Sequence, residues 1–240
     1  MIRKALPKTP QKNRSGFQLR GHEVKRIETF SDAVFAFAVT LLIVSLEVPH
    51  NFDELMTTMR GFFAFGICFT ILVLIWHEQH VFFRRYGMDD AWTIALNCAL
   101  LFIVLFYVYP LKFLFSLAFS DNIYGSGKSP FSIKSQQLPL LMIVYGVGFI
   151  LIYSIITLLY IHALGKKTVL DLTATEAFDT RTKIYSQIVM ISIGLLSIIV
   201  ALVLPPKLAD LAGFVYFLIG IALTIYYSRR TKIRRRLFHE

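Results

Sequence analysis

Six apolar runs, each close to the length of a membrane-crossing helix, constrain this chain more than any other feature of its sequence. A helix rises about 1.5 Å per residue and therefore needs about 20 apolar residues to cross a bilayer. The runs are Phe30–Val48, Met59–Phe82, Trp92–Phe119, Leu138–Leu164, Ile184–Leu204 and Leu208–Tyr227. Hydrophobic residues make up 56% of the chain, above the roughly 45–50% of soluble domains. The sequence predicts an all-α polytopic membrane protein with six transmembrane helices.

Basic residues are distributed unevenly between the two sides that six spans define. Both termini then lie on one side, and 20 of the 25 Lys and Arg residues fall there. The richer side is the cytoplasmic one by the positive-inside rule. We therefore expect a multi-pass protein of the inner (plasma) membrane with both termini in the cytoplasm. The net charge of +10 predicts contact of the basic termini with anionic lipid headgroups, and we expect no nucleic-acid partner.

The chain divides into three predicted segments without a convincing internal repeat. Residues 1–25 resemble a flexible basic cytoplasmic arm, residues 26–228 form the six-helix transmembrane domain, and residues 229–240 form a basic cytoplasmic tail. Serine, glycine and proline dominate the longest outer loop, 120–137. The inner loop 165–183 mixes charged residues and helix formers, which predicts a short cytoplasmic helical extension.

Motifs that would indicate catalysis or metal binding are incomplete. The stretch GSGKS at 125–129 lacks the first glycine and the preceding strand of a phosphate-binding loop. The histidines of HEQH at 77–80 are three residues apart, whereas the zinc-protease helix needs four. Cys68 and Cys98 both lie inside apolar runs, so neither a disulfide framework nor a metal spacing is indicated. We expect no enzyme activity, no metal site and no cofactor.

Polar side chains of the first three spans lie at one depth. Asp32 is about 9 Å from the cytoplasmic end of the first span, and Asn97 is about 11 Å into the third. An ionised Asp in a span costs about 2.5–3.5 kcal/mol, so it needs partners. The expected hydrogen-bonded network contains Ser31, Asp32, Trp76, His77, His80 and Asn97. The alternative, polar residues reaching for the interface, accounts well for Arg26 and Glu28 but poorly for Asp32 and Asn97.

One stripe of the first span has alternating spacings of four and three residues. It consists of Arg26, Phe30, Ala33, Phe37, Thr40, Val44 and Glu47. This spacing is typical of a helix that packs around a common axis, either in a closed core or around a pore. Thr40 places a hydroxyl in the middle of the stripe, and Glu47 places an acid at the outer mouth, where it would attract cations. Both features favour the pore.

The segment RIETFSDAVFAFAVTLL, residues 26–42, resembles the first-helix signature R-x-x-x-F-S-D of the transmembrane protein 175 family. This family comprises the endolysosomal potassium channels and their prokaryotic homologues. Trp76, His80, Asn97 and Pro110 are similar to its later signature positions, and the resemblance covers most of residues 22–115. The signature network carried over to this chain consists of Arg26, Phe30, Ser31, Asp32, Trp76, His80 and Asn97.

The resemblance implies a homotetrameric potassium-selective channel whose first helix lines a central pore. Potassium would be the permeant ion, with a hydrophobic constriction at Phe37 and a pore-facing Thr40. Leu41 and Val44 would occupy the next apolar turns. Two positions depart from the family pattern, since Phe37 replaces the usual Ile or Leu and Gln79 replaces the first of two adjacent histidines. No TVGYG filter loop occurs, so side chains of the first helix would have to select potassium.

Two other membrane functions remain open at the level of sequence. A six-helix secondary transporter should contain an internal repeat and helices broken at mid-membrane. Gly146 and Gly148 in the fourth span are a weak indication of such a break. A structural membrane protein without ion flux is the third class.

Overall fold

The computed structural model describes residues 16–21, 23–44, 50–119 and 133–238, which form helices and short connections. The helices are α1 (Arg26–Val44), α2 (Phe52–Arg60), α3 (Phe62–Tyr86), α4 (Ala91–Ala118), α5 (Leu138–Gly165), α6 (Ala174–Val203), α7 (Leu211–Phe214) and α8 (Leu218–Phe238). One 3-10 turn precedes α5, and two more flank α7. The expected loop 120–137 lies largely outside the described residues, and the GSGKS stretch lies entirely outside them.

Five helices in the described ranges are long and apolar enough to cross a membrane. They are Thr58–Tyr86, Ala91–Ala118, Leu138–Gly165, Ala174–Val203 and Leu211–Phe238. The first joins the end of α2 to α3, and the last joins α7 to α8. These five helices confirm the prediction of an all-α, multi-pass membrane protein. Helix α1 has 19 residues and is not among them, so its role as a sixth span stays a prediction.

Local sequence signals explain where several helices begin and end. Helix α3 ends at Gly87, which takes a left-handed conformation with φ 56° and donates its N–H to the Phe83 carbonyl at 2.8 Å. Glycine adopts this conformation at little cost because it has no Cβ. Helix α6 begins with a capping box, in which Thr173 and Glu176 each accept the other's backbone N–H. The predicted extension before the fifth apolar run is therefore the first part of α6.

Most spans pack on the spans that precede and follow them in the chain, and α3 also contacts α6 through Glu78 and Lys183. Helix α1 packs on α3 and α4, α4 packs on α5, α5 on α6, and α6 on α8. A Cβ at Gly148 would clash with the Tyr107 ring, and one at Gly146 would lie 2.7 Å from Cγ1 of Ile198. Both glycines thus allow α5 to approach its neighbours closely. They lie inside a continuous helix, which removes the indication of a broken transporter helix.

Residues 16–21, expected to belong to a flexible arm, instead pack against the helices. Phe17 is 1% exposed and meets the Tyr86 ring edge-on at 5.7 Å. The backbone N–H groups of Arg20 and Gly21 donate to the carbonyls of Arg85 and Arg84, at 3.3 and 3.1 Å. The last carbonyls of a helix have no partner within it, so this segment satisfies those of α3. Hydrogen bonding to a helix end is the physical reason that the expectation was wrong here.

Arg20 fastens the same segment to the connection between α5 and α6. Its guanidinium pairs with Glu176 at 2.8 Å and donates to the Leu170 carbonyl at 2.7 Å. Glu176 also accepts the backbone N–H of Gln18 at 2.7 Å. The segment before α1, the end of α3 and the start of α6 therefore lie together at the same end of the helical bundle.

Asp90, immediately before α4, links the connection between α3 and α4 to the end of α5. Its carboxylate lies 2.8 Å from Nε2 of His162 and 3.3 Å from Nζ of Lys166, and it accepts a hydrogen bond from the Thr93 hydroxyl at 2.7 Å. Burial favours the neutral acid, but these three partners outweigh burial and hold the pKa of Asp90 well below its ordinary value. The carboxylate is therefore charged at neutral pH.

Residues 229–238 continue α8 rather than forming a separate tail. Arg230 lies over the Phe178 ring at 4.1 Å and donates to the Thr182 hydroxyl at 3.0 Å. Arg234 lies 3.2 Å from the Asp179 carboxylate. The partners of both arginines lie on the first turns of α6, so the predicted boundary at residue 229 is not a structural break. Helix-forming arginines and lysines, together with these contacts, extend α8.

Candidate functional site

The charged residues at the start of α1 cap the helix and anchor it. Glu28 accepts the backbone N–H of Lys25 at 3.1 Å and donates its own to the Lys25 carbonyl at 3.0 Å. The Lys25 ammonium donates to the Gly87 carbonyl at 2.6 Å and lies 2.8 Å from the Asp89 carboxylate. Glu28 is buried, so it does not reach for solvent as the alternative interpretation assumed. These contacts tie the start of α1 to the connection between α3 and α4.

Helix α1 has a buried face and an opposite exposed face. Ser31, Phe35, Ala38 and Leu42 are buried against α3 and α4. The exposed face carries the first five residues of the predicted stripe: Arg26, Phe30, Ala33, Phe37 and Thr40. Phe30 is 55% and Phe37 is 56% exposed. The pattern read from the sequence therefore coincides with the face that the single chain leaves uncovered.

The other residues predicted to line the pore and its outer mouth are Leu41, Val44 and Glu47. Leu41 lies at the border of the two faces, half buried, and packs against the hydrophobic core. It is thus less exposed than Phe37 and Thr40. The side chain of Val44 and the whole of Glu47 lie outside the described residues, so their predicted roles at the pore and at its outer mouth stay predictions.

Thr40 is oriented by a hydrogen bond to its own helix. Its hydroxyl donates to the Ala36 carbonyl at 3.0 Å. A hydroxyl has one proton and two lone pairs, so this bond uses the proton and leaves the oxygen lone pairs available. Cations are bound by oxygen lone pairs. The exposed Thr40 oxygen can therefore act as a ligand on the exposed face of α1.

Asp32 and Trp76 join α1 to α3 at the edge of the exposed face. The Trp76 indole N–H donates to Oδ1 of Asp32 at 2.7 Å. The His80 ring stacks on the Trp76 ring, with centroids 5.3 Å apart and an interplanar angle of 23°. His80 therefore supports the donor of this bond and does not itself reach the carboxylate. His77, also expected in the network, is exposed.

Ser31 and Asn97 belong to a second, buried hydrogen-bonded chain. The amide of Asn97 donates to the Ser31 hydroxyl at 2.9 Å and accepts from Nε2 of Gln79 at 2.7 Å. The Ser31 hydroxyl in turn donates a hydrogen bond to the Ile27 carbonyl at 2.7 Å. The expectation that Ser31, His80 and Asn97 would satisfy Asp32 was therefore wrong. An amide that both donates and accepts can link two polar groups, whereas an exposed carboxylate needs fewer protein partners.

Gln79 is the member of this hydrogen-bonded series of side chains that was not predicted from the sequence. It is 2% exposed and Asn97 is 0% exposed, so their mutual bond lies in the core between α3 and α4. In the sequence, Gln79 stands out only as a departure from the family pattern. Its position at the depth of Asn97 was the signal that could have identified it.

Two ionisable side chains inside spans also have partners that the sequence did not predict. Glu78 on α3 accepts from Lys183 at 2.7 Å and from Gln187 at 3.1 Å, both on α6. Lys112 on α4 donates to the Leu42 carbonyl of α1 at 2.6 Å. Ionisable residues in lipid-depth helices require such pairing. Their presence inside apolar runs was the available signal. Among the residues described, no group of three or more His, Cys, Asp or Glu could hold a metal ion.

Comparison with known proteins identifies relatives of this chain. Residues 26–107 match the family described as "Endosomal/lysosomal potassium channel TMEM175". A protein of Marivirga tractuosa named "Potassium channel" is 41% identical over 235 residues, which cover 93% of this chain and 94% of the relative. The chain belongs to the TMEM175 family. Potassium channels are not enzymes, so the family confirms that prediction as well.

Other TMEM175 proteins extend the comparison. The crystal structure of a threonine-to-alanine variant of the potassium channel MtTMEM175, in complex with a nanobody–MBP fusion, aligns with a TM-score of 0.79 at 38% identity. The alignment covers 92% of this chain and 99% of that one. A potassium channel of Chamaesiphon minutus is 31% identical over 96 residues, or 37% of this chain and 47% of the relative. The fold match thus includes the later helices, which the signature residues did not cover.

Proposed function

We propose that this TMEM175 homologue is a potassium-selective channel, a homotetramer that passes K⁺ passively across the inner membrane with α1 around a central axis. The observation that carries the proposal is the exposed face of α1. Phe30 and Phe37 there are more than half exposed, and the same face carries the Thr40 hydroxyl. Lipid could cover the aromatic side chains, but the Thr40 hydroxyl on the same face favours protein or water there, and the α1 faces of other subunits around a pore supply both. Its named relatives are potassium channels.

The position of the helix ends supports α1 as the sixth span and both termini in the cytoplasm. The segment before α1 bonds to the end of α3 and to the connection between α5 and α6. The end of α8 packs on the start of α6. Both ends of the described chain therefore lie at the same end of the helical bundle, as an even number of spans requires. That end of the bundle carries the basic clusters, which would face the cytoplasm and its anionic headgroups.

Phe37 and Thr40 have separate proposed roles in the pore. A ring of four Phe37 side chains forms an apolar constriction that cannot replace the hydration shell of an ion. Four Thr40 oxygens, one turn further along, supply ligands that partly replace water around the weakly hydrated potassium ion. Leu41, Val44 and Glu47 remain proposed for the following turns and the outer mouth. A transporter is not favoured, because α3 to α6 run unbroken through their middle.

Assembly around α1 predicts a specific disulfide between subunits. In a Cys98→Ser background, Thr40→Cys should produce a covalent dimer under mild oxidation, and light scattering should give the mass of four subunits. Ile221→Cys is the matched control, because Ile221 is also exposed, at 62%, but lies on α8. A monomer in several mild detergents, or equal cross-linking at both positions, would contradict the proposed assembly.

Ion flux in liposomes tests the proposed function directly. Purified protein should pass potassium down an ionophore-set gradient at channel rates, and the wild-type reversal potential should show preference for potassium over sodium. Thr40→Ala should reduce this preference by about tenfold, equal to about 1.4 kcal/mol, while flux continues. Thr40→Ser keeps the hydroxyl and should retain the preference. An unchanged reversal potential in Thr40→Ala would place selectivity at other residues.

A further inference from the structure

A basic cavity of about 260 Å³ lies between the end of α3, the start of α6 and the C-terminal half of α8. Four basic side chains line it, Arg85, Lys183, Arg230 and Arg234, while Asp179 is the one carboxylate among its described lining residues. One water molecule needs about 10–15 Å³ of such free volume. The cavity therefore has room for a polyatomic group.

Two of the four cations are matched by carboxylates. Lys183 pairs with Glu78 at 2.7 Å, and Arg234 lies 3.2 Å from Asp179. Within the described ranges, Arg85 and Arg230 have no carboxylate at salt-bridge distance. Their guanidinium groups lie instead over aromatic rings, Arg85 at 5.0 Å from Phe17 and Arg230 at 4.1 Å from Phe178. The cavity thus carries positive charge that the described carboxylates do not neutralise.

The cavity lies where the apolar part of α8 gives way to its basic part. Ile221 and Ile225, before this level, are at least half exposed, and the basic run begins at Arg229. Helix α8 packs mainly on α6, whereas α1 packs on α3 and α4. With α1 on the axis, the cavity lies toward the lipid side of the subunit, at the depth of the headgroups.

We propose that this cavity binds a phosphate group between the guanidinium groups of Arg85 and Arg230. Guanidinium is planar and donates two parallel hydrogen bonds to phosphate oxygens. The Thr231 and Tyr227 hydroxyls, which also line the cavity, can add neutral donors. Basic pockets between transmembrane helices on the cytoplasmic side suit anionic headgroups. The phosphate belongs either to the phosphodiester of an anionic lipid or to free phosphate, and the site does not depend on ion conduction.

Binding to the intact oligomer in neutral detergent tests the proposal. Native mass spectrometry would count bound phosphatidylglycerol, with phosphatidylcholine and inorganic phosphate as separate arms. Arg85→Gln/Arg230→Gln should bind phosphatidylglycerol about 100-fold more weakly than wild type, since each charge-assisted contact contributes about tenfold or more. The matched control is Arg229→Gln/Arg235→Gln, which makes the same charge change at exposed positions of α8. It should lose only the weak, salt-screened headgroup contacts of exposed basic side chains and keep the same count of tightly bound phosphatidylglycerol as wild type.

The arms distinguish the two sources of phosphate. Phosphatidylglycerol binding that millimolar phosphate does not displace assigns the site to a lipid, whereas displacement by phosphate assigns it to the free ion. Binding that survives in the Arg85/Arg230 variant, or falls equally in the control, overturns the proposal. If the double variant does not fold, the wild-type protein decides: a map in phosphatidylglycerol nanodiscs should show density within hydrogen-bond distance of both arginines. A cavity without such density would also overturn the proposal.

Discussion

Phe37→Ala is expected to raise potassium flux through the reconstituted channel by about tenfold, which corresponds to a barrier lower by about 1.4 kcal/mol. Phe37 is 56% exposed on the α1 face that we place around the axis. Removing four phenyl rings from one level widens an apolar constriction and lets water remain there. The measurement is the initial rate of potassium flux per tetramer in liposomes, with the potassium preference measured in parallel.

A matched control separates the constriction from a general effect of losing an aromatic side chain. Phe217 is 76% exposed and lies just before α8, away from α1, so Phe217→Ala should leave flux unchanged. Phe37→Leu keeps an apolar group and should lie between wild type and Phe37→Ala. Normal assembly with unchanged flux in Phe37→Ala would show that the narrowest point lies elsewhere on α1.

Asn97→Ala should lower the free energy of unfolding by about 1–3 kcal/mol, because it leaves buried partners without hydrogen bonds. Asn97 is fully buried, and its amide links Ser31 on α1 to Gln79 on α3. Thermal and denaturant unfolding in detergent would measure the change. Cys98→Ala, at the exposed next position of α4, should stay within about 0.5 kcal/mol of wild type.

A double-mutant cycle tests whether Gln79 and Asn97 act together. Gln79→Ala and Asn97→Ala should be less costly in combination than the sum of the two single changes, with a coupling of about 0.5–3 kcal/mol. Additive effects would show that the 2.7 Å bond between them contributes little. Such a result would mean that apolar contacts carry most of the packing of α3 on α4 at this level.

Asp32 remains proposed as support for the pore helix, but its surroundings lower the expected effect of changing it. The residue is exposed, and the structure describes one hydrogen bond to its carboxylate, from Trp76. A partly solvated carboxylate loses less when one donor is removed than a buried amide does. The larger stability effect is therefore expected at Asn97.

Several features of this protein follow from its sequence by itself. Five of the six apolar runs correspond to helices long enough to cross a membrane, because bilayer thickness sets the length of a span independently of tertiary contacts. The alternation of four and three residues along α1 predicted its exposed face, since helical geometry assigns each residue of one helix to a side. The signature at residues 26–32 indicated the family. Each of these signals is local along the chain.

The tertiary structure alone decided which polar groups meet. Shared depth grouped Ser31, Asp32 and Asn97, but the rotation of α3 and α4 paired Asn97 with Gln79 and left Asp32 to Trp76. The segment at 16–21 and the arginines of α8 also received partners more than 40 residues away in the chain. Spacing within one helix cannot specify such pairs, because they depend on how all the helices pack around one another.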